Sequence, residues 1–176
     1  MSQRNYDIYE HKHRFAAWAA ARAAASSPDC RFSVEKGQKL LEAIGFRNLI
    51  RDPNNLPNPE KFDERHRAWR ERILLLAQQK GTETEVPGMT HGVAAKLINV
   101  YLKAIFVCGG HHDHQRVRVL HPPIDRLLLR NLGWNNIGPW SHFESNTYEE
   151  VIDCIRKKIG TGQPVWKIEE YWPGFQ

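Results

Sequence analysis

Residues 90–110 read Thr90-His91-Gly92-Val93-Ala94-Ala95-Lys96-Leu97-Ile98-Asn99-Val100-Tyr101-Leu102-Lys103-Ala104-Ile105-Phe106-Val107-Cys108-Gly109-Gly110. Thr90-His91-Gly92 is a tight turn, and the apolar positions 93, 97, 100, 101, 104, 105 and 108 then recur with helical spacing. The turn therefore runs straight into an amphipathic or wholly buried helix, which the glycine pair stops. Its longest apolar stretch, Leu97 to Cys108, is interrupted by Asn99 and Lys103 and is too short to span a bilayer. It is expected to be the central helix of a core, with Lys96 one turn inside it.

The flanking sequence reads as more helices. From about Tyr6 to Ser26 the spacing of Phe15, Trp18, Ala19 and Arg22 and the density of alanine predict a helix that Pro28 ends. Ser33 caps a second helix with Leu40, Leu41 and Ile44 on one face and Gly45 as its stop. After a proline-rich connection, Asp52 to Pro59, Asn58-Pro59 opens a helix to about Gln79. Its apolar stripe is Phe62, His66, Trp69, Ile73 and Leu76; Glu64, Arg65, Arg67, Arg70, Glu71 and Arg72 read as a solvated face. Gly81 to His91 is turn-rich around Pro87-Gly88. Beyond the central helix, His111 to His114 reads as a polar loop and Val117 to Leu120 as a short extended piece. Asp125 starts a helix through Leu132, and Thr147 with Glu150 forms a capping box for one that ends at Gly160. Pro164 to Trp172 is a last short helix rich in aromatics. No sustained period-2 alternation and no internal repeat occur, so a single all-α domain of about seven helices over residues 1–176 is expected.

Composition fits that domain. The 176 residues are 41% hydrophobic and 26% charged, an ordinary globular balance able to bury a core. A net charge of +5 leans towards an anionic partner. The three cysteines, Cys30, Cys108 and Cys154, form no C-x-x-C pair and read as reduced, mostly buried thiols. Met1-Ser2-Gln3-Arg4-Asn5 lacks an apolar signal core. A cytoplasmic monomer without a membrane role is the expectation.

Two residues carry candidate chemistry. Lysine is the usual amine nucleophile, yet with a reference pKa of about 10.4, neutralising it at pH 7 costs about 4–5 kcal/mol unless its site helps. Burial against an apolar helix disfavours the ammonium, and Val93 and Leu97 flank Lys96 on the apolar side. Asp125 follows Pro122-Pro123, which stiffen its approach. As the cap of a helix it would be kept ionised by free N–H groups and the helix dipole. The Thr90-His91-Gly92 turn offers backbone N–H groups of the kind that bind phosphate at a helix start.

Gly92-Val93-Ala94-Ala95-Lys96 and Pro123-Ile124-Asp125-Arg126, in that order and either side of one helix, resemble the signatures of the helix-hairpin-helix (HhH-GPD) DNA glycosylases. There a Gly-Val-Gly-x-Lys hairpin precedes the helix with the catalytic lysine, and a Pro-Val-Asp followed by His or Arg supplies the catalytic aspartate. The likeness covers Thr90 to Leu132, about a quarter of the chain. Ala94 stands where the second hairpin glycine would be, and the stretch between lysine and aspartate is longer than usual, as in the similar archaeal 8-oxoguanine glycosylase/lyases. The resemblance implies a helix-hairpin-helix element and a DNA repair hydrolase and lyase for base excision. Lys96 would be the nucleophile and Asp125 the catalytic carboxylate. Thr90, His91, Gly92 and Ala94 would hold a DNA phosphate. The partner would be double-stranded DNA with a damaged base, an oxidised purine first of all, with no metal or organic cofactor.

Two other classes fit parts of the pattern. A non-catalytic helical nucleic-acid-binding module would use the same turn for phosphate contact. A metal hydrolase would use Cys108, His111, His112, His114 and His121, although their spacing matches no familiar paired zinc site. Of the aromatics, Trp18 and Trp69 lie on apolar faces and read as core. Trp140, Phe143, Trp166 and Trp172, with Trp134 and Tyr171 nearby, are the candidates to line a pocket for a flipped base. His11 and His13 beside Arg14 read as surface.

Overall fold

The computed structural model describes residues 6–175; Met1 to Asn5, read as lacking a signal core, lie outside them. The described residues are helical and contain no strand. In chain order the helices are α1 (Ile8–Ala24), α2 (Val34–Ala43), α3 (Phe46–Leu49), α4 (Phe62–Ala77), α5 (His91–Leu102), α6 (Gln115–Arg118), α7 (Arg126–Asn131) and α8 (Ser145–Ile159). A π-helical stretch, Lys103–His111, continues α5. A 3-10 turn, Val165–Tyr171, forms most of the C-terminal segment. The count exceeds the expected seven because α3 and α6 are single turns; α6 replaces the extended piece expected at Val117 to Leu120.

α5 is the axis of the fold. Every residue from Gly92 to Asn99 is buried, and the buried residues form one cluster around it. The run His91–His111 is the one described helix long and apolar enough to cross a membrane, and two thirds of its apolar window lies inside the fold. It is longer than the apolar stretch alone suggests, because the π-helical turns carry it through Gly109 to a left-handed Gly110 (φ 90°).

α1 packs on α5 through its small residues. Its buried face is His13, Ala16, Ala17, Ala20, Ala21 and Ala24, which lets the two backbones come close. Phe15 and Trp18 lie on the opposite face, 62% and 52% exposed. Trp18 is therefore not core: the alanine stripe, not the aromatic one, faces inward. His13 is buried rather than on the surface, joining α1 to Tyr101 Oη (2.7 Å) and Glu42 Oε1 (2.9 Å). α4 buries its expected stripe from Phe62 to Leu76, and also Arg70, which was expected on the solvated face. The Arg70 guanidinium lies over the Tyr148 ring, 4.5 Å from its centroid, and bonds Glu149 at 2.8 Å. A cap fixes the start of α2, where Ser33 Oγ accepts from Lys36 N; α8 starts before the expected capping box, at Ser145, without a side-chain cap. Cys30 is buried, but Cys108 and Cys154 are exposed, so the thiols are not mostly buried; none is in a disulfide.

Candidate active site

The start of α5 is strapped to the turn at Trp140–His142. Thr90 Oγ1 accepts from Val93 N (3.2 Å) and donates to Ser141 O (2.7 Å). Gly92 N–H donates to Phe143 O (3.0 Å), and Ala94 N–H to Thr90 O (3.0 Å). A Cβ on Gly92 would collide with the Trp140 carbonyl oxygen. Glycine is needed here for close approach of protein to protein, not for approach to a phosphate. The N–H groups of Gly92, Val93 and Ala94 all point at acceptors inside the fold, so the expected phosphate cradle at this turn is not open. Thr90 and His91 are half-buried beside it.

That strap sets the Trp140 ring under the next turn of α5. Lys96 Nζ lies 4.3 Å from the centroid of the ring, and the side chain is only 9% exposed. Burial pulls its pKa below the ordinary lysine value of 10.5, with Asp125 opposing the shift. Asp125 Oδ2 is 3.6 Å from Nζ, just beyond a hydrogen bond.

The carboxylate is fixed from three directions. Asp125 Oδ1 accepts from Leu128 N (2.9 Å) as the cap of α7, and Oδ2 accepts from Trp172 Nε1 (3.1 Å). Its approach is anchored by Asn99 on α5, whose Nδ2 donates to Pro122 O (2.9 Å). Lysine and aspartate, 29 positions apart in sequence, thus share one side of α5, held there by a proline-stiffened segment.

Beside the pair opens a cavity of about 250 Å³, walled by Val100, Ala104 and Pro123 and carrying Lys96, Asp125, Lys103, Glu169 and Trp172. Glu169 Oε2 lies 2.6 Å from Lys103 Nζ. Burial raises the Glu169 pKa and Lys103 holds it back. A larger hollow, about 510 Å³, is bordered by Trp140, Arg126, Arg130 and Trp134. Another, about 590 Å³ near Asn58, Lys61 and Arg65, contains no buried amine.

The four aromatic candidates divide. Trp140 and Trp172 contact the lysine and the aspartate. Phe143 is 2% exposed, used as packing under Gly92. Trp166 does not border the cavity; its ring stands edge-on to His112 at 6.4 Å. His121 is drawn into the interior, bonded to Tyr148 Oη (3.0 Å) and Asp63 (3.0 Å), away from the exposed His111 and His112. Among the described residues no group of three or more His, Cys, Asp or Glu is placed to hold a metal ion.

Three residues of the candidate site are not among those the sequence analysis names for it. Lys103 was legible, two turns after Lys96 on the same side of the helix. Asn99, polar within an apolar helix, was a weaker signal. Glu169 carried none, because only the folding back of the C-terminal segment brings it to α5. Comparison with protein-family models, with curated proteins and with solved structures gives no match.

Proposed function

We propose that the chain is a DNA glycosylase with an associated abasic-site lyase activity, excising a damaged base, with oxidised purines as the favoured class. The observation that carries this reading is a buried amine of lowered pKa held 3.6 Å from a capped carboxylate at the edge of a cavity. An amine nucleophile must be neutral to attack, and burial supplies part of that. In the proposed reaction Lys96 Nζ forms a bond to the sugar C1′ as the C1′–N bond to the base breaks. The base leaves with the electron pair and is protonated. Asp125 stabilises the positive charge on the sugar during this exchange; the new C1′-bound nitrogen then loses one proton, and its lone pair forms the C1′=N iminium as the C1′–O4′ bond breaks and O4′ takes up a proton, opening the sugar ring. Loss of a C2′ proton then expels the 3′ phosphate, and water releases the lysine.

The α4–α5 pair and its connection, residues 78–90, are the proposed hairpin element. With the Gly92 turn closed, phosphate contacts fall instead to exposed groups, Arg126 and Arg130 on α7 first of all. Their loss should weaken binding similarly for all sequences and flatten its salt dependence. The enzyme would act as a monomer on cytosolic or nucleoid DNA and needs no cofactor for these steps.

Borohydride trapping tests the reading. Wild type should form a covalent adduct with a duplex carrying an abasic site or 8-oxoguanine, and Lys96→Gln should form none. The adduct yield should rise with pH and level off below the ordinary lysine value of 10.5, since the lowered pKa brings the neutral amine in early. Equal trapping by Lys96→Gln would sink the mechanism. No adduct with any lesion would leave a nucleic-acid-binding module.

A further inference from the structure

The cavity holds a second ion pair that the proposed chemistry at Lys96 and Asp125 does not use. Lys103 Nζ and Glu169 Oε2 lie 2.6 Å apart, with side chains 26% and 16% exposed. Both border the cavity together with the reacting pair. Among the described residues, Lys103 is the one partner of the Glu169 carboxylate, so Oε1 is left with its acceptor capacity. Lys103 likewise keeps donors beyond the one turned to Glu169. Trp172 ties the two halves together: its Nε1 donates to Asp125, and its ring lies 5.4 Å from Lys103 Nζ. The remaining walls are apolar and the volume is below that of a drug-sized pocket, which suits one planar heterocycle with a polar edge.

We propose that Lys103 and Glu169 read the base in this cavity, Glu169 accepting a ring N–H and Lys103 donating to the neighbouring C=O. A carboxylate beside an ammonium is the complement of a lactam edge. The same pair opposes bases without a ring N–H on that edge: 3-methyladenine would set an acceptor nitrogen against the carboxylate and an amino group against the ammonium, and ethenoadenine offers the carboxylate only a fused C–H edge. The site therefore takes lactam bases (8-oxoguanine, hypoxanthine, uracil) and rejects 3-methyladenine and ethenoadenine. This rests on the glycosylase reading above and assigns Lys103 and Glu169 as specificity-determining residues within it.

The test separates the two. Release of each of the five bases from a single-lesion duplex is compared for wild type, Glu169→Gln and Lys103→Met, alongside borohydride trapping on an abasic-site duplex, which contains no base to read. Wild type should favour the lactam group, and each variant should lower the lactam-to-non-lactam ratio by about 10- to 100-fold, the range of one well-placed pair of polar contacts to a base. Abasic trapping should fall far less than base release. A wild-type ratio near unity, or ratios unchanged in variants that melt as wild type does, would overturn the base-reading role while leaving the nucleophile intact. Lys103→Met, distant in sequence from the C-terminal segment, serves if Glu169→Gln does not fold. Failure of wild type to trap the abasic duplex would overturn the glycosylase reading, and the base-reading role with it.

Discussion

Lys96 and Asn99 sit one turn apart on the same buried helix, and their surroundings are opposite. Asn99 is saturated: Oδ1 accepts from His66 Nε2 (2.8 Å), and Nδ2 donates to Pro122 O and Tyr148 Oη (both 2.9 Å). The chain continues from Tyr148 to His121 Nδ1 and from His121 Nε2 to Asp63. These roles are consistent with neutral imidazoles, Nε2 carrying the proton in both. Lys96 has no hydrogen bond of ordinary length; it has a carboxylate at 3.6 Å and a ring face at 4.3 Å. Polar groups whose bonds are all made fix a structure, whereas a buried amine with bonds still to make is available for chemistry. On the proposed reading, fold and function therefore divide between two neighbouring turns of α5.

The largest test of that division is Asn99→Ala. It strips partners from His66, Tyr148 and Pro122 O in the interior, at roughly 1–3 kcal/mol for each buried group left unsatisfied. A loss of about 4 kcal/mol in urea unfolding is expected, with activity falling as Asp125 loses its anchor. A loss under about 1 kcal/mol would show that the network is not what holds the fold. Next comes Gly92→Ala, which forces α5 off the Trp140 carbonyl and should cost about 3 kcal/mol, near the upper end of overpacking. Stability close to wild type would mean that the strap under Lys96 is slack.

The network also makes stability depend on pH. Burial lowers the pKa of His66 well below 6.5; the charges of His121 and Arg70 add to it. Burial likewise lowers that of His121, against the pull of Asp63. In the unfolded chain both rings take up protons near 6.5, before the folded protein does. Stability is therefore full above about pH 6.5 and is lost as pH falls through it towards the folded pKa values. The slope is up to about 1.4 kcal/mol per pH unit for each ring. Urea midpoints measured from pH 8 to pH 5 should fall only on the acid side; a flat series would mean the rings are not held neutral.

Much of this was legible in the chain. Helical spacing, caps at Ser33 and Asp125, and the stop at Gly45 fixed the helices because each is a local signal. The lysine and aspartate were legible as types in order, and their meeting follows from a helix packed against a stiff Pro-Pro segment. What was not legible depends on distant contacts. Trp18 looked like core because aromatic rings outweigh alanines in any hydrophobic pattern, yet close helix packing prefers the alanines. Arg70 looked solvated because nothing local announces Glu149 and Tyr148. Gly92 looked like a phosphate cradle because close approach to a carbonyl oxygen and to a phosphate demand the same missing side chain.

The smallest expected stability change belongs to the residue with the largest expected effect on activity. In Lys96→Met an apolar chain of similar reach replaces the amine over Trp140, so the contact surface survives. Asp125 loses a partner 3.6 Å away but keeps the N–H groups of Leu128 and Trp172, and its side chain remains 20% exposed. Removing one member of a fully buried ion pair costs about 3–5 kcal/mol because the other is stranded. Here it is not stranded, and relief from burying the ammonium offsets what is lost. The net change should be under about 1 kcal/mol in urea unfolding, while borohydride adducts disappear. If Lys96→Met destabilises the protein as much as Asn99→Ala does, the lysine is one more strut of the interior, and the contrast between the two turns of α5 collapses.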